Sequence, residues 1–97
     1  MIYFLKENTL RGRIKIGYSS KVKERMGSLQ TANSNELQLL AVVDGGLRTE
    51  KNLHFHFDHL RIRGEWFEPG RELLEFIDEI KMAGLNVQPF PRLKIVV

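Results

Sequence analysis

The chain of 97 residues contains no cysteine. This absence excludes disulfide bonds, thiolate zinc sites and a cysteine nucleophile. Any bound metal must then be held by carboxylate, imidazole or water ligands. Oxygen ligands favour a hard ion such as Mg²⁺.

Long apolar segments are lacking as well. No run approaches the roughly 20 apolar residues of a membrane-spanning helix, and the N-terminal segment MIYFLKEN lacks the apolar stretch of a secretory signal. We therefore expect a cytoplasmic protein without a membrane partner. There are no internal repeats, and a hydrophobic content of 42% with 28% charged residues is typical of one compact domain.

The charged residues are unevenly distributed along the chain. Residues 1–35 carry seven Lys or Arg against two Glu, whereas residues 36–97 carry eight Lys or Arg against ten Asp or Glu. The basic N-terminal part is therefore the candidate anion-binding surface. An ordinary solvated face would have the same composition, so charge alone does not decide between the two.

The hydropathy pattern predicts an α+β fold with the order β-β-α-β-α-α. Residues 2–6 and 13–18 predict a β-hairpin, and the apolar run 37–43 predicts a buried third strand. These segments form a small three-stranded antiparallel sheet flanked by three helices.

Apolar residues at helical spacing predict helices over 21–31, 47–60 and 69–84. We expect one domain over residues 1–83. Residues 84–97 form a C-terminal tail that packs back on the domain, pairs with a partner chain or acts as a tether, and the sequence favours none of the three.

Two polar residues of the predicted hairpin, Tyr3 and Lys15, lie on or beside the faces of their strands that are expected to be buried. In the second strand, Lys15 and Gly17 share one face, because strand side chains alternate. A Tyr3 on that face would place a phenol beside the Lys15 amine, over the space that Gly17 leaves open.

Polar side chains occur in the same way on the predicted helices. Arg25 lies at the flank of an apolar stripe, and Glu50 lies within about 20° of Phe57 on the core-facing stripe. His54 follows Glu50 by one turn, at the edge of the same face. Taken alone, Arg25 and Glu50 fit a structural ion pair between two helices equally well.

Two other groups of residues have simpler interpretations. His54, His56 and His59 have a spacing that scatters their rings around a helix, which disfavours a zinc site. Trp66 and Phe67 are better explained as core residues than as base-stacking platforms.

Five sequence motifs occur in a defined order. Met1-Ile2-Tyr3 and Lys15-Ile16-Gly17 lie on the two hairpin strands, and they are followed by the segments ERMGSLQTAN, EKNLHFHF and RGEWF. This order resembles the GIY-YIG nuclease domain family over about residues 1–80, in particular a small phage and bacterial subgroup. Arg25 matches the family's helix arginine, and Glu50 matches its metal-binding glutamate. The chain departs from the family in having Lys15 at the second tyrosine position and no counterpart of a late asparagine.

The resemblance implies a metal-dependent endonuclease that hydrolyses phosphodiester bonds, with DNA as the expected substrate and RNA as the other candidate. In this mechanism Tyr3, aided by Lys15, takes the proton from water. Arg25 binds the phosphate, and Glu50 holds one Mg²⁺ or Mn²⁺. His54 assists Tyr3 or orders a water molecule.

A free-standing domain of this size is expected to bind DNA mainly through phosphate contacts. The residues expected to make these contacts are Lys6, Arg11, Arg13, Lys21 and Lys23. Double-strand cleavage would need a homodimer or two successive events. The alternatives are a non-catalytic nucleic-acid-binding or anti-defence module on the same fold, and a small structural protein whose tail pairs with another chain.

Overall fold

The computed structural model of the protein describes residues 1–83. In chain order, its elements are β1 (Ile2–Glu7), β2 (Ile14–Tyr18), α1 (Val22–Ala32), β3 (Leu37–Val43), α2 (Leu47–His56), a 3-10 helix (Asp58–Leu60), β4 (Arg61–Arg63), β5 (Trp66–Phe67) and α3 (Arg71–Ala83). The predicted α+β class is confirmed. The predicted tail, 84–97, lies outside the described residues. No helix within residues 1–83 is long and apolar enough to cross a membrane.

The sheet is antiparallel and has five strands in the order β3-β1-β2-β5-β4. The predicted three-stranded sheet is therefore wrong, because β4 and β5 extend it beyond β2. These two strands contain only three and two residues, and segments of that length show no recognisable alternation of polar and apolar residues.

Helix α2 ends four residues earlier than predicted. The chain tightens at Phe57 into the 3-10 helix, where the Leu60 N–H donates to the Phe57 carbonyl at 2.8 Å. This turn redirects the chain into β4. Both Phe57 and Leu60 still contact the core, so the apolar stripe that predicted one long helix serves two short elements instead.

Strand β1, which lies between β3 and β2, is buried on both faces of the sheet. Ile2 and Phe4 belong to the main core, which α2 and α3 cover. Tyr3 and Leu5 point to the opposite face, as strand alternation requires.

Helix α1 covers this second face only lightly. Its apolar residues Val22, Met26 and Leu29 pack against Tyr3 and Leu5, but no residue of α1 is fully buried. A lightly covered face that contains a buried phenol is the part of the molecule that the sequence singled out.

Candidate functional site

Tyr3 lies beneath α1, directly opposite Gly17 in the β1–β2 register. The side chain is fully buried, at 0% exposure. A Cβ atom added to Gly17 would overlap the Tyr3 ring and its hydroxyl, so the phenol occupies the space that the glycine leaves. The predicted placement of the two residues on one face is confirmed.

The phenol oxygen of Tyr3 is a buried polar atom without a hydrogen bond of standard geometry to any residue of the described chain. The Arg25 guanidinium on α1 lies close enough to lower the pKa of Tyr3 by its charge and by weak hydrogen bonding. Burial has the larger effect and raises the pKa of Tyr3 above its ordinary value, and the charges of Glu65 and Glu50 raise it further. In the protein alone, burial and the two carboxylates therefore outweigh the effect of Arg25 on the pKa of Tyr3.

Lys15 is held by a residue that the sequence did not single out. Its Nζ lies 3.2 Å from Oε1 of Glu65 and 5.3 Å from the centre of the Trp66 ring. Lys15 pairs with Trp66 across β2 and β5, which places Glu65 beside the Lys15 side chain. The amine that was expected to act on Tyr3 thus forms an ion pair with Glu65.

Glu50 is a buried carboxylate, with 8% of the residue exposed. Burial raises its pKa and the charge of Glu65 raises it further, while His54, the Tyr18 N–H and Lys15 act in the opposite direction. Its predicted burial on the core side of α2 is confirmed. An ion pair between Arg25 and Glu50 is absent within residues 1–83, so the structural alternative is wrong.

His54 contacts the backbone of β2 and not Tyr3. Its Nε2 lies 2.8 Å from the Ile16 carbonyl oxygen. Because a carbonyl can only accept, Nε2 carries the proton. The ring also packs against Phe67, with 5.3 Å between ring centres. This arrangement gives His54 a structural role at the edge of β2, in place of the predicted assistance to Tyr3.

An open groove runs along the beginning of α1. Its lining residues are Ser19, Ser20, Lys21, Glu24, Arg25 and Ser28. Arg25 is an exposed residue that lines the groove, and its guanidinium also acts on the buried Tyr3 hydroxyl. Its hydroxyls and two cations form a candidate surface for an anionic chain such as a nucleic-acid strand.

The other predicted phosphate-binding residues differ in their exposure and in whether their charges are already paired within the protein. Arg13 forms a two-pronged ion pair with the buried Glu7, at 2.5 and 2.8 Å, and Arg11 pairs with Glu68 at the surface. Lys23 is exposed on α1, and Lys6 is partly buried near the hairpin turn. Lys21 and Lys23 are therefore better placed for phosphate contacts than Arg13.

The oxygen atoms of this region suit a hydrated hard cation. No group of three or more His, Cys, Asp or Glu in residues 1–83 is arranged to hold a metal ion, and the zinc interpretation finds no support there. Glu50 and Glu65 do lie close enough for each charge to be felt by the other, beside the unpartnered Tyr3 oxygen. Mg²⁺ binds in this way, through one or two carboxylates with water completing its shell.

Comparison with known proteins identifies one family. The sequence matches the T5orf172 domain over residues 1–81. Searches of curated proteins and of solved structures gave no significant match. The matched range contains every described strand and helix except the last two residues of α3, and it contains all the site residues discussed above. The chain is therefore a member of the T5orf172 domain family.

Proposed function

We propose that this protein is a metal-dependent nuclease that hydrolyses phosphodiester bonds in DNA. The proposal rests mainly on Glu50, a buried carboxylate that forms no ion pair within residues 1–83. Buried charges are normally paired or bound to a metal, because an uncompensated one is costly. A divalent cation at Glu50 would supply the missing positive charge.

Family membership supports a phage-associated role related to nucleic acids. A second support is the resemblance to GIY-YIG nucleases, which lies in the order along the chain of Tyr3, Lys15, Arg25 and Glu50. Electrostatic influence between these residues also supports the proposal. Arg25 and Glu50 both act on the pKa of Tyr3, and Lys15 acts on the pKa of Glu50.

The protein residues would divide the reaction as follows. Arg25, which is exposed to the groove and adjacent to Tyr3, binds the scissile phosphate and neutralises its charge. Glu50 would hold Mg²⁺ or Mn²⁺, which would supply Lewis-acid chemistry to the reaction when bound. Tyr3, ionised to the phenolate, orients the attacking water through its oxygen and accepts a proton from it. Lys15, once separated from Glu65, stabilises the phenolate.

The groove beside α1 would bind a single strand of the substrate. Lys21 and Arg25 would contact successive phosphates, and the serine hydroxyls would donate to the phosphate oxygens. Contacts of this type carry no sequence information, so we expect little sequence preference and an affinity that falls as salt rises. One such site cuts one strand, and double-strand cleavage would need two sites or two events.

Mg²⁺-dependent nicking of supercoiled plasmid tests the proposal. Wild type is compared with Glu50→Gln, Arg25→Gln and the control Glu75→Gln, whose carboxylate pairs with Arg71 on the exposed side of α3. We expect the first two variants to lose at least about 100-fold in rate, as for other groups that stabilise transition-state charge, and the control to match wild type. Equal background nicking by all four proteins would contradict the proposal.

Nucleic-acid binding without cleavage is the second candidate function. The Lys15–Glu65 ion pair favours it, because this pair withholds the amine from a phenol whose pKa burial has already raised. Salt-dependent DNA binding that Lys21→Gln and Arg25→Gln weaken, with no nicking by wild type in Mg²⁺ or Mn²⁺, would support this function over the first.

A further inference from the structure

Glu65 acts on three of the four matched site residues, namely Tyr3, Lys15 and Glu50. It forms the ion pair with Lys15, and its charge raises the pKa of both Tyr3 and Glu50. Its side chain is only partly exposed. The sequence prediction gave this residue no role.

The backbone fixes the position of Glu65 at the edge of β2. The Ile16 N–H donates to the Glu65 carbonyl at 3.0 Å, and the next outward-facing N–H, that of Tyr18, faces the Glu50 carboxylate. Residues two apart on a strand are separated by about 7 Å. Glu65 and Glu50 are therefore adjacent along one edge of β2, although Glu65 immediately precedes β5 and Glu50 lies on α2.

Lys15 is shared by the two carboxylates. It forms the ion pair with Glu65 and its charge acts on Glu50, which His54 also influences. The ion pair joins Lys15 to Oε1 of Glu65, and a carboxylate has a second oxygen that can accept. The buried Tyr3 oxygen, which has no hydrogen bond of standard geometry within residues 1–83, is acted on by the charges of both carboxylates.

We propose that Glu65 is a second carboxylate ligand of the divalent cation that Glu50 holds, and that it shares its charge between this cation and Lys15. The inference rests on the proposed function and extends it to a residue outside the four matched positions. Two carboxylates and a phenol oxygen, with water in the remaining positions, form an all-oxygen set of the kind Mg²⁺ and Mn²⁺ prefer. Lys15 competes with the cation for Glu65.

Mn²⁺ binding can be measured without any cleavage reaction. The chain has one tryptophan, Trp66, which is adjacent to Glu65 in sequence and packs against Lys15. Paramagnetic Mn²⁺ bound at this place should quench its fluorescence, so a titration of the full chain with MnCl₂ gives the dissociation constant directly.

Four variants separate ligation from a purely structural role. Glu65→Gln and Glu50→Gln should each weaken Mn²⁺ binding by at least about tenfold, the scale of loss seen when metal-site carboxylates are changed. Glu68→Gln, three residues along and paired with exposed Arg11, should bind as wild type does. Lys15→Met should bind Mn²⁺ more tightly, because it removes the competing ammonium.

Each outcome bears on the proposal. Wild-type affinity in Glu65→Gln, with loss in Glu50→Gln, would overturn it, as would weaker binding in Lys15→Met or no saturable quenching in wild type. If Glu65→Gln fails to fold by circular dichroism, Glu65→Asp replaces it, and its displaced carboxylate should also weaken Mn²⁺ binding. Glu65-dependent Mn²⁺ binding without plasmid nicking would sustain this inference while refuting the nuclease. Nicking by wild type with unchanged Mn²⁺ affinity in Glu65→Gln would refute this inference while sustaining the nuclease proposal.

Discussion

Glu50 and His54 lie one helical turn apart on α2, and both face the edge of β2 that β5 leaves unpaired. Strand β5 pairs with β2 only at Ile14 and Lys15. Beyond that point, His54 donates to the Ile16 carbonyl and the Tyr18 N–H faces the Glu50 carboxylate. Two helix side chains thus satisfy backbone groups that a longer β5 would have paired. The carboxylate is positioned by the same contacts that complete the sheet.

This arrangement predicts that Glu50→Gln lowers the nicking activity without lowering the stability of the fold. Burial raises the pKa of Glu50 in the folded protein. The stability it contributes is therefore complete below the unfolded pKa and is lost as pH rises through the higher folded pKa. Above its folded pKa the ionised carboxylate is a net cost to folding, so the neutral amide, which can still accept from Tyr18, should melt at an equal or higher temperature there.

Nicking by Glu50→Gln should nevertheless fall by at least about 100-fold, because the amide supplies no charge for a metal ion. Thermal melting and the plasmid assay on the same preparation measure both effects. A clear drop in melting temperature at pH 7 would show that Glu50 stabilises the fold as an ion, contrary to its burial without a partner cation.

Tyr3→Phe should be stable and inactive. The hydroxyl is buried and lacks a standard hydrogen bond within residues 1–83, so its removal should raise the free energy of unfolding by up to about 1 kcal/mol or leave it unchanged. Loss of a general base typically lowers the rate by about 10²- to 10⁴-fold. Urea unfolding and the plasmid assay test the two parts.

The pH dependence of wild type gives an independent check on Tyr3. Burial raises its pKa above 10.0, so only a small fraction is ionised near neutrality. The nicking rate should therefore increase steadily from pH 7 to pH 9 in wild type, and the residual rate of Tyr3→Phe should lack this increase. A flat wild-type profile would exclude the phenolate as the base.

The parts of the site that the sequence predicts are those set by periodicity within one element. Alternation placed Lys15 and Gly17 on one face of β2, and helical spacing placed Glu50 on the buried side of α2. The partners of Lys15 and His54 were missed because they depend on contacts between elements. Glu65 reaches Lys15 through the pairing of β2 with a two-residue strand, and so short a strand leaves no pattern in the sequence.

The ion pair between Arg13 and Glu7 predicts sensitivity to acid. Glu7 is almost completely buried, and hydrogen bonding from Arg13 lowers its pKa below the ordinary value of 4.5. Its contribution to stability is therefore present above that ordinary value and is lost as pH falls through the lower folded pKa. Arg13→Met should cost about 2 kcal/mol at pH 7, less than for a fully buried pair, because 35% of the Arg13 side chain is exposed.

Chemical unfolding from pH 7 to pH 2 measures this effect. The difference between wild type and Arg13→Met should shrink as the pH falls, since protonated Glu7 no longer needs the guanidinium. Arg11→Met, which removes the exposed pair with Glu68, is the matched control and should unfold like wild type at every pH. A constant difference for Arg13→Met would mean that lost packing of the Arg13 side chain on Trp66, and not charge, is responsible.

Gly17→Ala should displace Tyr3 and thereby remove the activity. The new methyl group would overlap the ring and hydroxyl of the fully buried Tyr3. Forcing one methyl group into a packed region costs about 1–3 kcal/mol. Gly27→Ala on α1 is the control, because a Cβ atom there meets nothing within 4 Å and alanine favours a helix by about 0.5–1 kcal/mol. Gly17→Ala should therefore melt lower and lose nicking, whereas Gly27→Ala should melt higher and cleave normally. Full activity in Gly17→Ala would show that the position of the phenol beneath α1 is irrelevant to the reaction.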